Sequence, residues 1–121
     1  MTVAGFGHRR GAQLSSLAEV LERLIQHYGQ VDRLVALADK AELVQLLGAE
    51  RGLPVVLIEG DVCVGVETLT RSRHSQHAKN TGSVAEALAL LGAGQDSRLL
   101  GPRQISADRM ATGAIAEHII L

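Results

Sequence analysis

The sequence predicts an α/β protein: a three-layer α/β/α single domain, residues 1–121, on a mostly parallel, mixed central sheet. Two observations carry that expectation. Apolar runs and amphipathic stretches alternate as strand, helix, strand, helix, strand through the first half of the chain. That order implies right-handed crossovers, with helices on the faces of the sheet. The strand runs also hold almost no polar residues, as strands covered on both faces do.

The first run, "TVAGFG" (residues 2–7), is a short strand ending in glycines. In the following "SSLAEVLERLIQHYG", Leu17, Val20, Leu21, Leu24, Ile25 and Tyr28 recur at helical spacing. Ser16 with Glu19 makes a capping box, and Gly29 supplies the stop. "RLVALA" (33–38) is the second strand. "DKAELVQLLGAERG" reads as a helix with Asp39 at the N-cap, Glu42 in the capping-box position and Gly52 after the last turn. "LPVVLIEG" (53–60) is the third strand. "DVCVGVETL" (61–69) suits a strand or a short helix, and "TRSRHSQHAKNTG" (70–82) a polar, basic loop. "SVAEALALLGAG" (83–94) is an alanine-rich helix ended by Gly92 and Gly94. "SRLLGPRQIS" and "RMATGAIAEHIIL" give two final strands, a hairpin or adjacent pair joined through "SADR".

A chain of 121 residues buries about two thirds of its unfolded surface, enough for a core without staples. Its hydrophobic residues, 46% of the total, are mostly Ala, Val, Leu and Ile, with Phe6 and Tyr28 the only aromatics. Sites for single-stranded nucleic acid stack bases on several rings, and a net charge of −1 supplies no basic field for nucleic acid or membrane. Neither is an expected partner. The lone thiol of Cys63, together with the lack of a signal-peptide or transmembrane pattern, suits the cytoplasm.

The stretch "GFGHRRGA" (5–12) is strand, glycine turn and helix start. Backbone N–H groups at a helix start attract anions, and glycines admit a ligand to the backbone. The spacing Gly5, Gly7, Gly11 is not the dinucleotide fingerprint, whose third glycine would fall at Arg10, and there is no Walker lysine. No nucleotide cofactor is expected. Two readings stay open here: a plain turn with solvated Arg9 and Arg10, or an anion site in which two guanidinium forks hold carboxylates. "RSRHSQHAK" (71–79) is either a solvated loop or the second side of a basic cleft, with Arg71, Arg73 and Lys79 as its cations. His74 and His77 lack a neighbouring cysteine or carboxylate, so no metal site is expected. Cys63 sits in an apolar run, where an inert buried thiol is usual. Glu86 follows Ser83 as a capping carboxylate, or acts in acid–base chemistry. These residues offer a binding surface more readily than an active site.

Taken together, "GFGHRRGA", "DKAEL" and "TGSVAEALALLGAG" leading to "ATGAIA" resemble the CobE family, which is also the C-terminal domain of CbiG proteins of cobalamin biosynthesis. Gly5, Gly7, Arg9, Arg10 and Gly11 match its G-[IV]-G-C-[RK]-[RK]-G start. Lys40 and Glu42 match a K-x-x-E element with a gap one residue shorter. Ser75, Thr81, Gly82, Val84, Glu86 and Ala87 match the stretch before and into a G-V-x-E-A helix. Thr112, Ala114, Ile115 and Ala116 match a late T-x-A-I-A strand, with Gly113 at its variable position, and Arg103 falls where lysine is common. His8 stands at the family's usual cysteine, so no thiolate mechanism carries over. The resemblance implies a three-layer α/β/α domain acting in corrin-ring assembly. In fused CbiG proteins it implies lactone opening and loss of acetaldehyde, assigned to a separate N-terminal portion.

A corrin intermediate carries acetate and propionate carboxylates around a broad apolar macrocycle. The expectation is therefore a carrier or accessory protein that binds such an intermediate, with no cofactor or metal of its own. Gly5, Gly7 and Gly11 would give access; Arg9, Arg10 and Lys79 would grip carboxylates. His8, Lys40, Ser75, Thr81 and Glu86 would line the site by family position. Two alternatives remain: an enzyme acting on the same ring, with His8 as acid–base group and Glu86 its partner, or a non-catalytic subunit stabilising another corrin-pathway enzyme.

Overall fold

The structure, a computed structural model, describes residues 1–59, 84–94 and 96–118. Strand β1 (Thr2–His8) leads into helix α1 (Leu14–Tyr28), and β2 (Arg33–Leu37) passes through a short 3-10 turn (Ala38–Lys40) into α2 (Glu42–Arg51). Strand β3 (Val55–Ile58), helix α3 (Val84–Ala93) and strands β4 (Ser97–Leu99), β5 (Gln104–Ile105) and β6 (Ala111–His118) complete the described elements. The sheet runs β3-β2-β1-β6-β4, with β5 also on β6.

Strands β1, β2 and β3 pair in parallel, while β6 is antiparallel to β1, β4 and β5. Five of the six described strands therefore point one way, and among them β6 alone returns. This is the mixed α/β sheet predicted, with the antiparallel pairings concentrated around β6.

Alternation along β1 sorts the core into two sides. Ala4 and Phe6 face α1 and α2 with Leu17, Val20, Leu21, Leu24, Val44 and Leu47. Val3 faces α3 with Val35, Ala87 and Leu88. Small residues let α3 come down close: Ala85 and Ala89 meet Ala114 and Ala116 of β6. At Gly5 the helix touches the strand backbone, and an added Cβ would stand 2.4 Å from the Ala85 carbonyl oxygen.

Several local expectations change. Helix α1 begins two residues before Ser16, on a Gln13 N-cap without a side-chain bond. Ser16 and Glu19 do not form a capping box: Ser16 is buried and donates to Asp108 Oδ2 at 2.5 Å, and Glu19 accepts the Ala107 N–H at 3.0 Å. Long-range acceptors in the β5–β6 turn outcompete the local cap. Helix α2 likewise starts at an Ala41 N-cap rather than Asp39, because residues 38–40 first close a 3-10 turn. Gly92 lies inside α3 against Val35, and only Gly94 closes the helix. The last two expected strands become three, since the run around Gly101 and Pro102 divides the first into β4 and β5. Residues 61–69 and 70–82, read as strand or helix and as basic loop, lie outside the described residues.

Candidate functional site

Parallel neighbours deliver their carboxyl ends to the same edge of a sheet, where α/β proteins place ligands. Here β1 ends at His8 and β2 at Leu37, so the turns that follow them emerge side by side. Between them opens a cavity of about 340 Å³ lined by His8, Arg9, Arg10, Gly11, Ala12 and Asp39, then Lys40, Glu42 and Leu43.

The first turn is closed by the Ala12 N–H donating to the Arg9 carbonyl at 3.1 Å. Gly11 occupies its third position with φ of +88°, a left-handed geometry that glycine adopts without a steric cost. Arg9 and Arg10 are thereby carried at the exposed tip. The Arg9 N–H donates to the Met110 carbonyl at 2.8 Å and moors the turn to the start of β6. The second turn reaches back across the cavity: Lys40 Nζ donates to the His8 carbonyl at 2.8 Å. His8 Nε2 stands 3.4 Å from the Lys40 carbonyl oxygen and Nδ1 3.3 Å from that of Arg9. The ring N–H thus has a carbonyl acceptor in either tautomer.

Among the described residues, the side chains of Arg9, Arg10, Asp39 and Glu42 form no ion pair or hydrogen bond. Glu42 lies in the first turn of α2, where the helix dipole favours a carboxylate. Its charge has a local reason, whereas the guanidiniums have none among the described residues. Formal charge in the lining is three cations against two carboxylates.

A second cluster supports the first. Asp108, in the turn before β6, accepts hydrogen bonds from Ser16 and Ser106 Oγ at 2.5 Å each and from the Met110 N–H at 3.1 Å. These donors, Ser106 foremost and then Ser16 and Met110, hold its carboxyl below the usual range. The network fixes Met110, whose carbonyl anchors Arg9.

Of the residues expected at the site, His8, Arg9, Arg10, Gly11 and Lys40 share this cavity. Gly5 lies beneath α3, and Gly7 pairs with Thr112 on β6, 3.3 Å from its Oγ1 for an added Cβ. Glu86 is fully buried in the first turn of α3. His8, in phase with Ala4 and Phe6, is on the opposite face of the sheet, so the expected His8–Glu86 pair is not brought together. Ser75, Lys79 and Thr81 lie outside the described residues, as do Arg71, Arg73, His74, His77 and Cys63. Sequence reasoning missed Ala12 and Leu43 as lining, read Asp39 as a cap, and read Glu42 as a capping residue and a family match without placing it at the site. It also missed Asp108, whose signal was the "SADR" turn itself, serine and aspartate two residues apart.

Fold and cavity define an α/β protein with a cationic hollow at the carboxyl edge of its parallel strands. The chain belongs to the family described as "Cobalamin synthesis G C-terminus", whose profile matches residues 2–116; it is a cobalamin biosynthesis protein of the CobE/CbiG type. Its fold is similar to that of CobE, a protein from the cobalamin (vitamin B12) biosynthetic pathway. The TM-score is 0.82 at 26% identity, over 98% of this chain and 91% of that one. It is also similar to the cobalamin biosynthesis protein chiG from Agrobacterium tumefaciens, with a TM-score of 0.76 at 25% identity, over 99% and 100% of the two chains. No curated protein matches significantly. Among the described residues no helix is long and apolar enough to cross a membrane.

Proposed function

We propose that this protein binds a polycarboxylate corrin intermediate, as a carrier or accessory protein of cobalamin biosynthesis, and that its carboxylate grip is the cavity between the first two turns. One observation carries the reading: the Arg9 and Arg10 side chains, without partners among the described residues, stand in the same hollow as Lys40. Guanidinium forks match carboxylates in bidentate geometry. A volume of about 340 Å³ is at the small end of ligand pockets, which run from about 300 to 1,000 Å³. It suits acetate and propionate arms at one edge of the ring, with the macrocycle outside.

Titrating the protein against a panel of corrin intermediates, followed by visible absorbance, tests this. A saturable spectral shift without product supports binding, and product formation supports an enzyme instead. The absence of both a shift and product would favour a subunit that stabilises another pathway enzyme. Replacing both Arg9 and Arg10 with Ala should weaken binding by about tenfold or more, the contribution of a charge-assisted hydrogen bond, and flatten its salt dependence. Unchanged affinity would remove the arginines from the site.

A further inference from the structure

We propose that Lys40 and His8 are positioning residues that latch the two turns together, and that Lys40 does not itself hold the ligand. This deepens the binding reading above and rests on it. Two turns that leave adjacent strand ends have no sheet hydrogen bonds to fix their separation; the last parallel β1–β2 partners are Gly5 and Val35. Beyond that point the bridge is made by residues 8 and 40. Lys40 Nζ donates to the His8 carbonyl at 2.8 Å, and the His8 ring faces the Lys40 carbonyl in return. Each residue thus reaches the other's backbone, and one of the three Lys40 ammonium donors is held by an acceptor of the protein. Arg9 follows directly on the latched carbonyl, so the latch sets where both guanidiniums stand.

A ligand-contacting lysine and a latching lysine differ in what their loss does. A contact contributes charge, so its removal flattens the dependence of affinity on salt. A latch contributes geometry as well, so part of the loss persists where salt has screened the charge. The probe is cobyrinic acid, the corrin with its rim carboxyls free, titrated in rising KCl. Lys40→Met, which keeps the stem and loses the ammonium, should bind about five- to tenfold more weakly, the net worth of one hydrogen bond, and most of that loss should persist at the highest KCl. Lys40→Arg should recover most of the loss. The double variant His8→Ala/Lys40→Met should lose no more than Lys40→Met alone, because both belong to one bridge. Amide hydrogen exchange of Ala12, whose N–H closes the first turn, is read without any ligand and should speed up in Lys40→Met.

A Lys40→Met loss that vanishes at high KCl, or additive losses in the double variant, would overturn the latch and leave the binding reading standing. Unchanged Ala12 exchange would overturn it as well. If the wild-type protein ignores the probe while Ala12 exchange rises in Lys40→Met, the latch holds and the ligand assignment fails.

Discussion

Replacing Gly5 with Ala is a direct test of how the sheet and α3 fit. The added methyl would lie 2.4 Å from the Ala85 carbonyl oxygen, 2.5 Å from the Ala89 nitrogen and 3.0 Å from Leu88 Cβ. The two closest are backbone atoms, so no rotamer relieves them, and α3 must retreat by about 1 Å to reach ordinary contact distance. It has little room to tilt, since Gly92 near its other end is as close to Val35, at 2.3 Å for an added Cβ. Overpacking a core costs about 1–3 kcal/mol, and moving a whole helix puts Gly5→Ala near 3 kcal/mol. For a chain of this length that lowers Tm by about 10–15 °C. Urea unfolding followed by circular dichroism, with a thermal melt, reads both. Gly7→Ala is the internal control: its nearest neighbour is the Thr112 hydroxyl at 3.3 Å, which can turn aside, and the expected loss is under about 1 kcal/mol. Equal losses at the two positions, or less than about 1 kcal/mol at Gly5, would refute the packing account.

Asp108→Asn should destabilise the protein at neutral pH and flatten the acid limb of its stability profile. Because the folded carboxyl is held below its ordinary value, its contribution is present above the unfolded value of about 3.9 and is lost as pH falls through the folded one. Urea midpoints between neutrality and about pH 3 would show this; parallel acid limbs for the two proteins would contradict it. Gly52 caps α2 with φ of +69° in open space, so Gly52→Ala should cost about 1 kcal/mol through backbone strain alone. Gly52→Asn should cost less, since asparagine tolerates that region. An alanine variant as stable as the native protein would refute the strain.

What could be read in advance follows from the range of the forces involved. The strand–helix alternation depends on burial periodicity, which is written locally, and β1, α1, β2, α2 and β3 all appear where the apolar runs lie. Helix stops at Gly29 and Gly52 were legible for the same reason. Helix starts were not: Ser16 has the right neighbours for a cap, but a partner 92 residues away, Asp108, takes its hydroxyl. Gly5 resembled a ligand-access glycine because sequence shows the missing side chain and not the helix that fills its place. The arginine pair could be recognised as a candidate from adjacency and the glycine after it, but its meeting with Lys40 depends on β1 and β2 being parallel neighbours.

Solvated arginines are common, so exposure alone does not distinguish Arg9 and Arg10. Arg23 and Arg98 have carboxylates at 2.6 Å, and Arg51 pairs with Glu22. Arg33, Arg103 and Arg109 lack such partners among the described residues too, yet none of them lines the cavity. What sets the first pair apart is concavity combined with restraint. A guanidinium on an open surface loses rotamer freedom when it binds, which offsets much of its Coulomb gain. On a turn closed by Ala12, moored at Met110 and bridged by Lys40, the backbone beneath the guanidiniums is ordered before any ligand arrives. Binding there requires less further ordering than at a free loop. The same reasoning makes Asp108 and Lys40 matter to affinity although neither need touch the ligand: one through Met110 and one directly, they hold the two sides of the His8–Arg9 peptide group from which the charged turn leaves.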